Sequence, residues 1–266
     1  MSKRLWGMSG AGQLAIGVIG MCLCHSVWAA QPDPTQLIKE TFDNWRGESS
    51  YTEVTMTVHR PDWERSMSML ALTLGEEDSL VRFTAPAKDA GNATLKLEDD
   101  MWIFNPRLNQ ILKLPASMMA QSWMGSDFSY NDLAKANDVL TEYTHKLISH
   151  IQQDGHTVYE VEAMPKPDSA TVWGKLVIHI RDDGVMLGED YYDQDMKLLK
   201  RMQTVKVDTL GGRPYPVAMT MQKADVGDAW TTIEYLNGQF NIDIPQSMFT
   251  KSNLRNPRPF TPKGAE

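Results

Sequence analysis

Residues 118–133 read MMAQSWMGSDFSYNDL. These sixteen residues include three Met, one Trp, one Phe and one Tyr, interrupted by a glycine and by polar residues that cap helices. The stretch therefore fits neither the two-residue period of a strand nor the apolar stripe of a core helix. Large, soft apolar side chains on a connecting segment are suited to contact apolar ligands of irregular shape.

The sequence on either side of this stretch has the pattern of antiparallel strands. Val54, Met56 and Val58 alternate with polar residues, and residues 67–74 are apolar on both faces. That second pattern predicts a strand with a core on one side and a cover on the other. Turn-forming pairs recur at hairpin spacing and predict about eleven strands. The clearest turns are Asn105-Pro106, Asp154-Gly155, Asp183-Gly184 and Gly211-Gly212.

A sheet of this length, without a second sheet to pack on, must curl in order to bury one face. We therefore predict a mainly β fold: an antiparallel open (unclosed) β-barrel of about 11 strands with helical lid or plug elements. Residues 115–136 form one such element, in which Ser129 or Asn131 caps a helix. A helix that begins near Pro34, with Asp33 or Thr35 as its cap, and ends at Gly47 forms the other.

The two ends of the chain differ from the middle. Residues 1–29 have the features of a cleaved signal peptide: Lys3 and Arg4, an apolar run, and a small-residue cleavage pattern ending at Ala29. A retained membrane anchor is the alternative reading. Residues 30–252 are expected to form a single domain, and residues 253–266 a proline-rich, exposed C-terminal tail. The signal peptide implies a periplasmic location.

Composition excludes several classes of function. Both cysteines, Cys22 and Cys24, lie in the predicted leader, so the rest of the chain has no thiol or disulfide. Without Lys3 and Arg4 the 26 basic residues become 24 against 34 acidic residues, a net charge of about −10. Such an acidic protein binds neither nucleic acid nor anionic lipid surfaces by charge.

No arrangement of residues typical of catalysis or metal binding is found. The histidines beyond the leader form neither an HExxH motif nor a Cys/His cluster. Gly125-Ser126-Asp127 lacks the G-x-S-x-G elbow of a serine hydrolase. Acidic runs such as Asp99-Asp100 lie at predicted turns, which is typical of solvated hairpin tips and not of paired catalytic carboxylates. We therefore predict no enzyme activity, no catalytic residue, no metal and no cofactor, and an enzyme acting on lipid is the weakest reading.

The excess of large apolar residues is the remaining signal, with 17 Met and 8 Trp in the chain. An ordinary core explains any one of them as well as a ligand site does. Their grouping around the interrupted segment favours a cavity that holds acyl chains, at roughly 0.8 kcal/mol per buried methylene. The predicted cavity and lid residues are Trp102, Phe104, Leu112, Leu114, Met118, Met119, Trp123, Met124, Phe128 and Tyr130.

Several motifs resemble one known family. MGSDFSYNDL at residues 124–133 resembles the MGSDFSYxDL signature of the LolA-like outer membrane lipoprotein-sorting proteins of Gram-negative bacteria. WIFNP at 102–106 resembles the family's W-[IL]-[YF]-x-P strand end, and Phe83 is followed by Pro86 and Gly91 as in the family. YYD at 191–193 before LLK at 198–200, and the region 241–254 with Phe249, also fit.

The resemblance implies a LolA/LolB-like unclosed eleven-stranded barrel around a hydrophobic cavity. Family members are periplasmic carriers, or partners of inner-membrane transporters that move lipids or lipoproteins. The predicted function is therefore a carrier that shuttles lipid or lipoprotein acyl chains from an inner-membrane transporter, of RND or ABC type, towards an outer-membrane acceptor. The signature differs from that of true LolA, so free lipid is an alternative cargo. A lipid-sensing accessory subunit of an RND-type exporter is the alternative function.

Overall fold

Thirteen antiparallel strands form one continuous sheet in this computed structural model, which describes residues 31–262. The predicted signal peptide lies outside the described residues. Within them, no helix has the length and apolar character needed to cross a membrane. The strands are β1 (Ser49–Arg60), β2 (Trp63–Leu74), β3 (Asp78–Ala85), β4 (Ala93–Leu97), β5 (Asp100–Asn105), β6 (Gln110–Lys113), β7 (Tyr143–Gln153), β8 (His156–Pro165), β9 (Lys175–Arg181), β10 (Met186–Tyr192), β11 (Leu198–Leu210), β12 (Arg213–Lys223) and β13 (Trp230–Phe240).

Helices occur before the sheet, between its halves and after it. The α-helices are α1 (Pro34–Arg46), α2 (Tyr130–Ala134), α3 (Asp138–Thr141) and α4 (Lys251–Arg255). Single 3₁₀ turns cover Ala116–Met118, Trp123–Gly125 and Gln246–Met248. All helices after α1 are short, which agrees with the predicted mainly β fold.

The strand order follows from two meanders. Strands β1 to β6 pair in sequence, strands β7 to β13 pair in sequence, and β1 pairs with β13 to join the two halves. Strands β6 and β7 are therefore the two edges, and within the described residues they do not pair with each other. The sheet is open, as predicted, and the chain between β6 and β7 must run from one edge to the other.

The predicted number of eleven strands was too low. The two strands that the sequence pattern missed are β3 and β4. Strand β4 has only five residues, and its Lys96 is buried instead of facing solvent. A short strand with a buried lysine has neither the length nor the alternation by which a half-buried strand is recognised.

The N-terminal helix forms as predicted. Asp33 is its cap: the side chain accepts a hydrogen bond from the Thr35 backbone N–H at 2.9 Å. Gly47 ends the helix with φ +64°, and a Cβ there would lie 2.3 Å from the Asn241 side-chain oxygen. Leu37, Ile38 and Phe42 are buried on the helix face that meets the sheet.

Two hydrophobic clusters lie on opposite faces of the sheet. The larger one, on the face we call inner, joins α1 to side chains from both meanders, including Val54, Phe83, Val161 and Met221. Residues of β1 and β8 share this cluster, so the sheet curves around it. The smaller one, on the outer face of β1 to β5, contains Leu72, Leu80 and Leu95.

The C-terminal region, residues 245–262, covers the outer face, and we call it the C-terminal cover. Met248, Phe249 and Leu254 are buried in the outer cluster, and Phe260 packs against it. Within the predicted tail, which begins at residue 253, the expected exposure was wrong for Leu254 because the outer face of β1 to β5 is apolar and needs a partner, whereas residues 255–259 are exposed. The two-sided burial predicted for residues 67–74 is confirmed.

Candidate functional site

A cavity of about 240 Å³ lies on the inner face of the sheet, beneath the connection between the two edge strands. Strands β1 to β4 and β11 to β13 form its wall, the end of α1 borders it, and the segment 115–136 covers part of it with residues between Trp123 and Ala136. We call residues 115–136 the plug segment. The apolar side chains that line the cavity include Trp45, Val54, Met69, Ala71, Val81, Trp123, Phe128, Leu133, Met202, Met219, Ile233 and Tyr235.

A second, larger hollow of about 640 Å³ lies between the plug segment and strands β5 and β6. Its rim carries the charged residues Asp99, Asp100, Lys113 and Lys135. Ligand sites for apolar molecules are lined mostly by apolar side chains. The smaller cavity therefore fits an acyl chain better than the larger hollow.

The plug segment folds back on itself around Trp123. Met124 and Gly125 both have positive φ, at 52° and 75°, which makes a tight turn that a glycine eases. Ser126 Oγ donates to the Trp123 carbonyl at 2.7 Å, and Ser122 pairs with Ser129 across the turn. The turn directs the Trp123 ring into the core.

Trp123 is the main apolar anchor of the plug segment. Its side chain is only 4% exposed, its ring lies 5.5 Å from that of Phe83, and its indole N–H donates to Thr94 Oγ1 at 3.1 Å. A buried indole nitrogen needs such a partner. A charged substitution at this position would therefore disturb folding.

Asp127 is the first of two buried carboxylates that fix the plug segment. Arg60 donates to both of its oxygens, at 3.0 and 3.1 Å, and also to the Gly125 carbonyl at 3.2 Å. Thr231 donates a further hydrogen bond to the Asp127 carboxylate at 2.7 Å. Paired, bidentate contacts of this kind hold geometry as well as charge.

Asp132 is the second anchor, and its side chain is buried to about the same extent as that of Asp127. It completes the cap of α2: Ser129 accepts from the Asp132 N–H, and the Asp132 carboxylate accepts from the Ser129 N–H at 2.6 Å. Of the two predicted caps, Ser129 is the one used. The same carboxylate pairs with Lys200 of β11, and both side chains are nearly fully buried.

Aromatic rings and a further carboxylate surround this ion pair. The Lys200 ammonium lies 4.8 Å from the ring centre of Trp173 and 4.9 Å from that of Tyr191. Tyr191 in turn donates its hydroxyl to Glu189 at 2.7 Å. Burial raises the pKa of Glu189 to about 7 and lowers the pKa of Lys200, the latter against the attraction of Asp132.

Two motifs that were separate in the sequence meet at this cluster. Asp132 belongs to the MGSDFSYNDL segment, whereas Tyr191 and Lys200 belong to the YYD and LLK segments. Sequence reasoning noted these motifs and assigned none of their charged residues a role. The only sequence signal was the presence of Asp and Lys inside otherwise apolar motifs, where an unpaired charge is costly.

The ten predicted cavity and lid residues are not brought together at one place. Trp123 and Phe128 line the cavity. Met124 and Tyr130 pack on the rim of the inner cluster. Leu114 and Met119 face the larger hollow, and Met118 is half-buried in the plug segment. Leu112 is exposed on edge strand β6.

Trp102 and Phe104 lie on the outer face of β5, away from the cavity. Phe104 is buried in the outer cluster, and Trp102 packs on its edge with the Lys251 ammonium 5.1 Å from its ring centre. Strand alternation distinguishes two faces but does not say which is inner. When both faces of a strand are covered, as here, both carry apolar residues, so the apolar pattern does not show which face borders the cavity.

Solved structures define the class to which this fold belongs. A DUF1329 family protein from Desulfovibrio piger is 24% identical, with a TM-score of 0.75 over 84% of this chain and 100% of its own. A domain assigned to outer membrane lipoprotein sorting from Vibrio parahaemolyticus is 20% identical, with a TM-score of 0.72 over 84% of this chain and 98% of its own. A LolA superfamily protein from Nitrosomonas europaea is 22% identical, with a TM-score of 0.69 over 83% of this chain and 99% of its own.

The fold is therefore LolA-like, which confirms the resemblance seen in the motifs. A family model described as "Uncharacterized protein" matches residues 75–256, well over half of the chain. The chain therefore belongs to the family that this model describes, and its fold is LolA-like. No curated protein matches the sequence.

Proposed function

We propose that the protein is a periplasmic carrier that binds lipid or lipoprotein acyl chains in the inner cavity and shuttles them towards the outer membrane. The observation that carries the proposal is the cavity itself. Its walls are largely apolar, and it is partly covered by a segment whose anchors include two charged pairs. The proposed action is binding and release, without a chemical step.

The physics of the cavity suits a cargo that varies in structure. Burial of each methylene contributes roughly 0.8 kcal/mol and requires no fixed direction of contact. A chain several methylenes long is thus held firmly whatever its branching or saturation. The acidic exterior keeps the loaded protein in water and away from anionic lipid surfaces.

The plug segment is the proposed gate. It joins the two edges of the open sheet, so a movement of residues 115–136 uncovers the cavity without breaking a strand pair of the meanders. Entry and release would occur at an inner-membrane transporter, of RND or ABC type, and at an outer-membrane acceptor. The transporter, the acceptor and the periplasmic location are proposed from the sequence resemblance. Ligand contact by the predicted cavity and lid residues other than Trp123 and Phe128 is proposed on the same basis.

A cavity-filling variant tests the proposal. Ala71 lies on the cavity wall in β2, so Ala71→Phe is expected to fill the space, keep the fold and reduce binding of a fluorescent lipid at least tenfold. Ala224→Phe is the matched control, since Ala224 is exposed in the link between β12 and β13. Vesicle-to-vesicle transfer of the lipid should fall in the same variant.

Each result has a distinct meaning. Unchanged binding by a folded Ala71→Phe variant would contradict the carrier proposal. Binding that is lost with the cavity, but without any transfer between vesicles by the unaltered protein, would favour the lipid-sensing accessory role. Native mass spectrometry of protein purified from the periplasm should detect a co-purifying lipid or acylated peptide.

A further inference from the structure

At one end of the cavity, the wall carries a row of polar side chains that neighbour one another across the strands. The pairing register places Ser50, Thr73, Ser79 and Lys96 side by side across β1 to β4, on the inner face. Directly opposed residues of antiparallel strands share a face, so the four side chains form a continuous row. Ser50 and Thr73 already exchange a hydrogen bond of 2.7 Å. The row therefore combines three hydroxyl groups with one ammonium group.

The wall becomes apolar further along the same strands. Four residues beyond Ser50, the register places Val54, Met69 and Phe83 side by side. Strand geometry puts this apolar row about 13 Å from the polar row. The Trp123 ring of the plug segment lies against Phe83. The cavity is thus amphipathic along its length, with a polar end and an apolar end.

Lys96 is fixed at the polar end, whereas its partner is free to move. The Lys96 side chain is 8% exposed, and its ammonium donates to the Glu77 carbonyl at 3.0 Å and to the Glu77 carboxylate at 3.3 Å. The Glu77 side chain is 60% exposed in the turn between β2 and β3. An anionic group inside the cavity can therefore displace this carboxylate into water at little cost.

The acidic residues near the cavity do not strongly repel an anionic group bound beside Lys96. Glu76 lies in the same exposed turn, and Asp132 is neutralised by Lys200. Arg46 adds a second cation at this end of the cavity, where it donates to the Gly75 and Glu76 carbonyls. The fixed, buried charge of the polar row is positive.

We propose that the cavity takes a single-chain amphiphile with an anionic oxygen head, a carboxylate or a phosphate. The head lies on the row that contains Lys96, and the chain runs to Val54, Met69 and Trp123. This inference rests on the proposed carrier function and adds the class of cargo. The cavity of about 240 Å³ is smaller than the roughly 300–1,000 Å³ typical of pockets for drug-sized ligands, so its size favours a single chain.

Displacement of a bound polarity-sensitive dye from the full-length protein tests this inference. The probes are dodecanoate, dodecyl phosphate and dodecyltrimethylammonium, which share a chain and differ in head charge. The anionic probes should bind about tenfold more tightly than the cationic one. Lys96→Gln should remove this difference, mainly by weakening binding of the anionic probes. The control Lys113→Gln, at an exposed lysine of β6, should change nothing.

A second variant keeps the test decisive if Lys96→Gln fails to fold. Glu77→Gln removes the competing carboxylate at an exposed position, so it should tighten binding of the anionic probes several-fold. Equal affinity for both head charges, or no effect of Glu77→Gln, would overturn the inference. Equally strong displacement by inorganic phosphate alone would also overturn the inference, because the site would then bind an anion without any contribution from an acyl chain. If no probe displaces the dye, the carrier function itself fails.

Discussion

Strands β1 to β5 are covered on both faces, but the two covers are built differently. The C-terminal cover lies on the outer face through apolar side chains such as Phe249 and Leu254, which are almost fully buried. The plug segment lies over the inner face through Trp123 and two charged pairs, and it leaves a cavity beneath it.

The difference indicates which cover can move. Removal of an apolar cover exposes its surface to water at roughly 25 cal/mol per Å², with no compensation. Charged pairs behave differently, because water solvates the separated charges and offsets much of the lost attraction. A cavity beneath the cover also reduces the apolar contact that opening would break. We therefore expect the plug segment to be the cover that opens and the C-terminal cover to stay in place.

The largest effect is expected at the outer cover. Leu254→Ala removes a side chain that has no exposure, which should lower the free energy of unfolding by roughly 4 kcal/mol. Urea denaturation measures this loss. Leu236→Ala is the control, since Leu236 is 65% exposed and its truncation should change little. Lipid affinity of folded Leu254→Ala should stay unchanged, and a large loss of affinity would contradict the assignment of separate roles.

A slightly smaller effect is expected at the inner cover. Asp132→Asn leaves Lys200 buried without its counter-charge, which should cost about 3 kcal/mol of stability. Unlike Leu254→Ala, it should also speed lipid exchange, as measured by stopped-flow dye release. Adding Lys200→Met to this variant should restore much of the stability. Exchange that is no faster in Asp132→Asn would argue that this pair does not hold the gate.

The inner cover should also depend on pH. Burial raises the pKa of Glu189 to about 7 in the folded protein, above the ordinary value of 4.5, so the folded state holds a proton that the unfolded state releases. The contribution of the Glu189 carboxyl group to the free energy of unfolding is fully present below about pH 4.5 and falls as pH rises towards 7. Asp132, Lys200, Asp190 and Tyr191 surround the carboxyl group.

Glu189→Gln should remove this dependence. Between pH 5 and pH 8 the unaltered protein should lose roughly 2 kcal/mol relative to the variant, measured by urea denaturation at each pH. Parallel stability profiles for the two proteins would show that Glu189 has an ordinary pKa. The outer cover contains no buried acid of this kind among the described residues, so Leu254→Ala should leave the profile of the unaltered protein unchanged in shape.

The smallest effect is expected at the α2 cap. Ser129→Ala removes one side of the capping box, which should cost about 1 kcal/mol. Because the cap orients Asp132, the variant should show a weak form of the Asp132→Asn exchange phenotype. Ser129→Thr keeps the hydroxyl and serves as the control in the same stopped-flow measurement. A larger loss of stability than in Asp132→Asn would contradict the order proposed for these contacts.

Local patterns predicted most of the sheet because hairpin turns and alternation are local. They predicted α1, the open antiparallel sheet and the two-sided burial of β2. They missed β4, since a buried Lys96 breaks the alternation in a strand of five residues. They could not reveal the pairing of Asp132 with Lys200, because the two residues are far apart in the chain. They placed Trp102 with the cavity because an apolar strand residue does not show which face is inner.

Hydrogen–deuterium exchange with and without dodecanoate tests the central claim most directly. The account predicts that backbone amides of residues 115–136 exchange faster than those of 245–256 in the free protein, and that the ligand slows exchange in residues 115–136 alone. Faster exchange in 245–256, or ligand protection confined to that region, would contradict the account.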